Sequence, residues 1–285
     1  MEIEVKGHSG CQIELKREEN DLFVYKSSCD KKYFPRLLKQ AQKQQKAFQT
    51  EYQHIRIPQI YKITEDDKHV SVKMEYVYSK NFIEYFESAG FEQIAYLIKA
   101  LILFLEKELK ESYIQTIDKN IVLNKFFDVK EKINSNELLN HDRTISEIIA
   151  QSHKIFDSLN EIKIPVGTCH GDLTFSNILF NGNNYYLIDF LDSFIESPLL
   201  DVVKIRQDSA HQWSKLMYTK NYDELRLEIV SSKIDREIDS YFQRYEWYTH
   251  FYKIFQLMNM LRILQYAKEE KVINYLKNEI IKIIQ

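Results

Sequence analysis

The sequence predicts an α+β protein of two lobes, a small β-rich amino-terminal lobe with one helix and a larger helical carboxy-terminal lobe. Three observations predict it. Short runs of alternating or β-branched residues fill residues 1–78 around a single helical stretch, in the order βββαββ. From about residue 79 the apolar spacing becomes helical. A polar hairpin, His170–Asp189, interrupts the helical part and carries the densest cluster of chemically capable side chains in the chain.

The elements follow in order. Ile3-Glu4-Val5 and Ile13-Glu14-Leu15 alternate apolar and polar residues on either side of Gly7-His8-Ser9-Gly10, as two half-buried strands around a turn do. Glu19-Asn20-Asp21 forms the next turn, and Leu22-Phe23-Val24-Tyr25 a third strand that ends at Lys26. Phe34, Leu37, Leu38, Ala41 and Phe48 recur at helical spacing. Pro58 bars a helix and opens a strand pair, Ile60–Ile63 and Val70–Val77, turned at Asp66-Asp67. Phe91–Lys110 is apolar on more than one face, as a buried helix is. Thr144–Ile162 is amphipathic, with Thr144 or Ser146 as its cap and Pro165 beyond its end. After the hairpin, Pro198 precedes a helix from about Leu199, and further helices are expected near 221–243, 245–268 and 270–284. The change near residues 77–82 lacks the Gly, Pro and Ser of a flexible tether, so lobes of residues 1–78 and 79–285 are expected to be joined by a short strap.

Composition narrows the class. A chain of 285 residues, 44% hydrophobic and 28% charged, can bury a good core and is not disordered. A net charge of −3 argues against a nucleic-acid partner, because phosphate backbones call for a concentrated basic surface. Cys11, Cys29 and Cys169 are scattered, without metal-ligand spacing, and fit reduced thiols in a cytoplasmic protein. Met1-Glu2-Ile3-Glu4 does not open as a signal peptide. The most apolar stretch, Tyr96–Leu105, includes Lys99 and is too short to span a membrane. Nothing in the pattern specifies an oligomeric state.

The chemistry concentrates in the hairpin. Asp172 and Asn177 stand five apart in polar sequence, followed by the apolar run Ile178-Leu179-Phe180. Asn181-Gly182-Asn183-Asn184 signals a turn, and Tyr185-Tyr186-Leu187-Ile188 is a second β-type run that delivers Asp189 at its end. Folded back, the strands bring two carboxylates and an amide oxygen together, a ligand set that a hard cation such as Mg²⁺ accepts. An Asp/Asn-rich turn accounts for each residue singly, and their joint spacing is what favours a site.

This stretch resembles the catalytic and metal loops of the aminoglycoside and choline phosphotransferases, a branch of the protein-kinase-like fold. His170-Gly171-Asp172 with Asn177 resembles that branch's HGDxxxxN loop, and Ile188-Asp189-Phe190 its IDF metal motif. The resemblance implies that Asp172 accepts the proton of the acceptor hydroxyl, while Asn177 and Asp189 hold Mg²⁺ on the nucleotide phosphates. His170 is expected to support the loop as a packed, hydrogen-bonded core residue. Gly7, Ser9 and Gly10 fall where the family covers the phosphates, although an ordinary hairpin turn would read the same way. Lys26 would reach the α- and β-phosphates as a point charge, and a solvated lysine at a strand end is its bland alternative.

One feature departs from the family. The helix after Lys26 usually supplies a glutamate to that lysine, but residues 33–50 contain no acid. Gln42, Gln45 or Glu51 is expected to stand in. Glu75-Tyr76-Val77 falls where the family runs its interlobe strap, placing Glu75 and Val77 beside the nucleotide base. Asp201 is either a support of the catalytic-loop backbone or a simple charge at a helix start. Asp192 and Glu196 read best as solvated loop acids. The aromatic run Tyr241–Tyr252, with Trp213, could hold a quaternary ammonium, but at this spacing helix core is the better expectation.

The resemblance implies an enzyme that moves the γ-phosphoryl group of ATP (or GTP), with Mg²⁺, to a hydroxyl of a small molecule such as a sugar or amino-alcohol, as in surface-polysaccharide synthesis. Only Leu191–Pro198 separates Phe190 from the next helix, too little for a peptide-docking segment. The alternative, prompted by the missing glutamate, is a catalytically silent nucleotide-binding module.

Overall fold

The computed structural model describes residues 3–6 and 11–285, with the backbone alone for the first of these stretches. The expected phosphate loop, Gly7, Ser9 and Gly10, lies outside the described residues. The fold is mixed α+β, as the sequence predicts, with a small antiparallel sheet and a larger helical part. The chain divides into two compact units, Met1–Phe104 with His170–Asp192, and Leu105–Cys169 with Ser193–Gln285.

In the first unit, β1 (Ile3–Lys6), β2 (Gln12–Glu18) and β3 (Asp21–Ser28) lead to helix α1 (Phe34–Phe48). The short β4 (Ile55–Arg56) precedes β5 (Ile60–Glu65) and β6 (Val70–Glu75). The main sheet has the order β1-β2-β3-β6-β5 and is antiparallel throughout. Lys26 pairs with Ile13 on one side and Val72 on the other, which fixes it in the middle of the sheet. Phe34, Leu37 and Ala41 of α1 pack on Cys11, Ile60, Val70 and Val72, so the helix lies across the sheet through one apolar stripe. Phe48, expected on that stripe, is 46% exposed. Seven residues after Ala41 the helix has run past the sheet, and Ala47 takes the last buried position.

Helix α2 (Phe82–Ser88) opens on a capping box, in which the Asn81 side chain accepts from the Glu84 N–H at 3.0 Å. Phe82, Tyr85 and Phe86 pack their rings against Phe175, Phe180 and Tyr185. Helix α3 (Phe91–Lys110) buries Ile94, Leu97, Ile98, Leu101 and Phe104. Later in the chain β9 (Ile178–Asn181) and β10 (Asn184–Leu187) form the expected hairpin. A parallel pairing of β10 with β4 completes this second sheet.

The second unit contains β7 (Ser112–Ile117), α4 (Lys119–Asn134), α5 (Arg143–Asp157) and β8 (Ile162–Gly167). Beyond the hairpin come α6 (Pro198–Ser209), α7 (Glu224–Phe242), α8 (Glu246–Leu264) and α9 (Glu270–Ile284). The expected helix Thr144–Ile162 is corrected at both ends. Its cap is Asp142, whose carboxylate accepts from the Ile145 N–H at 3.0 Å, and it stops at Asp157. Ile162 begins β8, and Pro165 lies within that strand rather than beyond a helix, paired only with β7. Ser197 caps α6, with Pro198 in its first turn. The centre of the aromatic run packs as core, with Phe242 and Tyr248 essentially inaccessible and Trp247 8% exposed, while Tyr241, Tyr245, Phe251 and Tyr252 are partly exposed.

Candidate active site

The site is built on the β9–β10 hairpin and the loops at its two ends. Its first part is the turn His170–Asn177. Gly171 takes φ +90°, and a Cβ there would lie 2.0 Å from the Leu191 carbonyl oxygen, so only glycine allows the two loops to approach this closely. His170 is fully buried and used at both ring nitrogens. Its Nδ1 accepts from the Asp172 N–H at 3.2 Å, which leaves Nε2 to donate to the Ile188 carbonyl at 2.9 Å. Burial pushes its pKa down to about 4, so the ring is neutral at pH 7 and bridges the loops as an uncharged strut. It also stacks on Phe190, with ring centroids 4.2 Å apart.

Further bonds bring the acids and the amide together. The Asn177 Nδ2 group donates to the Asp172 carbonyl at 2.8 Å and to Asp172 Oδ2 at 2.9 Å. With its nitrogen held this way, Asn177 presents its oxygen as the remaining polar atom. The Ile188 N–H donates to the Asn177 carbonyl at 3.1 Å, and the Leu191 N–H donates to the His170 carbonyl at 3.0 Å. The HGD turn and the residues around Asp189 are therefore cross-linked on both sides of the aspartate. Asp189 has φ +59°, a left-handed conformation that Asp tolerates better than most residues and that persists where neighbours fix it. This turn sends Phe190 into the core, 2% exposed, and leaves the Asp189 side chain 42% exposed.

Lys26 joins this group directly. Its Nζ lies 2.8 Å from Asp189 Oδ1 in a salt bridge, and the lysine is 7% exposed. Burial lowers the pKa of the ammonium, but the charge and hydrogen bond of Asp189 outweigh it and leave the pKa above its usual value. The carboxylate missing from α1 is therefore supplied by Asp189. From the helix, Gln40 Oε1 approaches Lys26 at a long 3.5 Å, while Gln40 Nε2 donates to Tyr33 Oη at 3.4 Å. Of the expected partners, Gln42 and Glu51 are exposed and Gln45 makes no bond to Lys26 among the described residues. The helical phase explains the miss: Leu37, Gln40, Ala41, Gln44 and Ala47 form the buried stripe, and placing Phe48 on it rotated the face. A stripe drawn through Leu37, Ala41 and Ala47 alone would have found Gln40.

Lys43 was also missed. Its Nζ donates to the Leu191 carbonyl at 2.6 Å, and Lys39 pairs with Asp192 at 3.2 Å. Asp192 is thus an ion-pair partner and only partly exposed. Glu196 is likewise engaged, accepting from the Cys169 thiol at 3.1 Å and the Ser193 N–H at 2.9 Å, so neither acid is simply solvated. Asp201 is wholly buried in the first turn of α6, unlike a solvent-facing charge at a helix start. Glu75 ends β6 with its N–H bonded to the Gln59 carbonyl at 2.8 Å. Val77 is buried, and its backbone makes no hydrogen bond among the described residues.

The donor set can be compared with a metal's needs. Among the described residues no group of three or more His, Cys, Asp or Glu side chains could hold a metal ion alone. One half-exposed carboxylate and one oriented amide oxygen suit Mg²⁺, which keeps several waters and takes phosphate oxygens to complete its octahedron. The residues fit the ion only together with a nucleotide.

The architecture is that of the protein-kinase-like fold. Residues 125–251, which include the whole HGD and IDF region, match the model of the phosphotransferase enzyme family, and this match indicates an enzyme of that class. Among solved structures the chain is similar to a thermostable mutant of aminoglycoside phosphotransferase APH(4)-Ia in ternary complex with ADP and hygromycin B, at 9% identity and a TM-score of 0.63, covering 100% of this chain and 93% of that one. A choline/ethanolamine kinase family protein from Mesorhizobium loti gives 10% identity and a TM-score of 0.62, with 100% and 88% covered. Amicoumacin kinase hAmiN in complex with AMP-PNP, Ca²⁺ and Ami gives 10% and 0.63, with 98% and 87% covered. At such identities the likeness establishes the fold. No curated protein matches the chain by sequence. Among the described residues no helix is long and apolar enough to cross a membrane.

Proposed function

We propose that the protein transfers the γ-phosphoryl group of ATP or GTP to a hydroxyl of a small molecule. The observation that carries this reading is the cross-linked group Lys26, Asp172, Asn177 and Asp189, in which the second Asp189 oxygen and the Asn177 amide oxygen have no protein partner among the described residues. Asp172 is the acceptor's base. Its carboxylate is oriented by Asn177, so it can take the hydroxyl proton without first reorganising. Asn177 and Asp189 would hold Mg²⁺, which supplies charge neutralisation for the phosphates when bound. Lys26 carries the fixed positive charge beside them. Gly7, Ser9 and Gly10 would cover the phosphates, and Glu75 and Val77 would meet the base through their backbone. In this assignment residues 1–78 form the nucleotide lobe, and residues 79–285 bring the catalytic loops and the acceptor.

The short run from Leu191 to the start of α6 at Pro198 favours a small acceptor over a peptide. One neighbour is an aminoglycoside phosphotransferase in complex with hygromycin B, another an amicoumacin kinase and a third a choline/ethanolamine kinase family protein, which supports a small acceptor such as a sugar or amino-alcohol. A place in surface-polysaccharide synthesis belongs to the same proposal. The test is thermal stabilisation by ATP with and without Mg²⁺, followed by ATP consumption against a panel of sugars and amino-alcohols. Stabilisation that depends on Mg²⁺ and disappears in Asp189→Ala is the expected result. Absence of any shift in the unaltered chain would remove the nucleotide assignment, and a shift without consumption of ATP would favour a silent binding module.

A further inference from the structure

Helix α1 carries a feature that the nucleotide site does not use. It lacks an acid for Lys26 and instead directs cations at the loop that follows Asp189. Lys43 reaches the Leu191 carbonyl at 2.6 Å, a charge-assisted bond to a backbone atom that no side-chain change in the loop can remove. The same ammonium lies 3.3 Å from the position a Cβ on Gly171 would take, beside the residue that precedes Asp172. The Lys43 ammonium, Gly171 and the Leu191 carbonyl thus meet where the catalytic loop touches the metal loop. Leu191 is held from both sides, its carbonyl by Lys43 and its N–H by the His170 carbonyl at 3.0 Å. Asp189, two residues earlier, holds a left-handed backbone that requires such fixing.

We propose that Lys43 is a positioning residue for Asp189. By pinning the Leu191 carbonyl against Gly171, it fixes the orientation in which Asp189 can share a metal ion with Asn177. In this chain α1 is coupled to the metal loop through a lysine on the loop backbone, in place of a helix carboxylate acting through Lys26. The inference rests on the reading of Asp189 as a metal ligand given above. It deepens that reading by naming what holds the ligand in place.

The experiment is calorimetric titration of the full chain with ATP, in the presence and absence of Mg²⁺, for the unaltered protein, Lys43→Met and Lys43→Arg, with melting temperatures of the nucleotide-free proteins alongside. Lys43→Met is expected to lose about tenfold or more of the Mg²⁺-dependent gain in affinity, as removal of a support to a metal ligand does. Its metal-free affinity should match that of the unaltered chain, and its melting temperature should fall by no more than a few degrees, as the loss of one hydrogen bond implies. Lys43→Arg should recover most of the gain, because a guanidinium can still donate to a carbonyl. A Lys43→Met protein that keeps the full Mg²⁺ gain overturns the proposal, as does one that weakens both affinities equally or does not fold. Unaltered protein with no Mg²⁺-dependent binding overturns the metal reading itself, and this proposal with it.

Discussion

Two clusters in this protein contain the same kinds of side chain and differ in what they leave over. One is Lys26, Asp172, Asn177 and Asp189. The other is Arg206 on α6 with Asp235 and Asp239 on α7 and Tyr248 and Tyr252 on α8. Arg206 Nε and Nη2 bind the two oxygens of Asp235 at 2.8 and 2.9 Å, and Nη1 reaches Asp239 and Tyr248 at 2.5 Å each. Its guanidinium also lies over the Tyr252 ring, 4.3 Å from the centroid. Burial lowers the pKa of this arginine, but the bond and charge of Asp235 outweigh it, so the cation is held firmly. Within the aromatic run that could have boxed a ligand's ammonium, the Tyr252 ring carries the chain's own arginine and the Tyr248 hydroxyl bonds to it. In the loop cluster, by contrast, Asp189 keeps one oxygen without a protein partner among the described residues, and its side chain is 42% exposed. Unsatisfied and accessible polar atoms, rather than the presence of charge, distinguish the candidate site from a structural ion network.

That contrast can be broken by substitution, and the largest effect belongs to Asp172. Asparagine at this position still accepts the Asn177 bond but cannot take a proton. Asp172→Asn should therefore lower turnover by about 10²–10⁴-fold while nucleotide binding is kept. Steady-state rates on a confirmed acceptor, together with direct nucleotide titration, check it. Loss of nucleotide affinity in this variant would contradict the assignment of Asp172 as base.

Arg206→Met should show the opposite division. It leaves Asp235, 17% exposed, without its counter-ion, and an unpaired buried charge of this kind costs about 3 kcal/mol of stability. Urea unfolding measures that loss. Nucleotide affinity of the folded variant should not change; if it fell while stability held, the Arg206 cluster would be a binding element and the contrast would fail.

His170 tests the loop cluster from the inside, through pH. Its folded-state pKa of about 4 lies below the ordinary 6.5, so as pH falls the unfolded chain takes the proton first. The stability linked to this residue is complete above about pH 6.5 and is lost as pH falls through about 4, roughly 3 kcal/mol from the size of the shift. Carboxylates titrate in the same range, so the quantity to measure is the difference between the unaltered chain and His170→Gln. The variant should start lower and lose less between pH 6.5 and 4. Parallel slopes would mean that the imidazole takes up a proton without cost.

How much of this was legible in sequence depends on whether the cause is local. The hairpin, its turn, and the helices near Glu224–Phe242, Glu246–Leu264 and Glu270–Ile284 follow from periodicity and from turn or cap residues, and the expected bounds lie within a few residues of the observed ones. The parallel pair of β4 and β10 joins Ile55 and Arg56 to Tyr185 and Tyr186, two residues a side at great sequence separation, and no local pattern announces it. The β7–β8 pair has α4 and α5 inserted between its strands, so no local pattern announces the pairing, and the first residue of its second strand, Ile162, reads as a helix end. In the site, Asp172, Asn177 and Asp189 could be read because their spacing is set by one hairpin. The salt bridge from Lys26 to Asp189 spans 163 residues and belongs to the tertiary fold. Gln40 depended on the phase of α1, which one exposed phenylalanine misdirected.

The smallest expected effect comes from the same helix and the same loop. Lys39 pairs with Asp192 at 3.2 Å, but the lysine side chain is 61% exposed and the pair is open to solvent screening. Burial raises the Asp192 pKa, while Lys39, by hydrogen bond and charge, leaves it below its usual value. An exposed pair of this kind contributes little after the entropy of holding two side chains, so Lys39→Ala should change stability by no more than about 0.5 kcal/mol. Its Mg²⁺-dependent nucleotide affinity should stay at the level of the unaltered chain, in contrast to that of Lys43→Met. The two lysines lie one turn apart on α1 and carry the same charge. They differ in what they meet, a partly exposed carboxylate for one and a backbone carbonyl beside Gly171 for the other. Equal losses from the two substitutions, read by the same titration and at raised ionic strength, would show that α1 acts on the loop through its general positive field. A loss confined to Lys43 would place the effect where its ammonium meets the Leu191 carbonyl and Gly171.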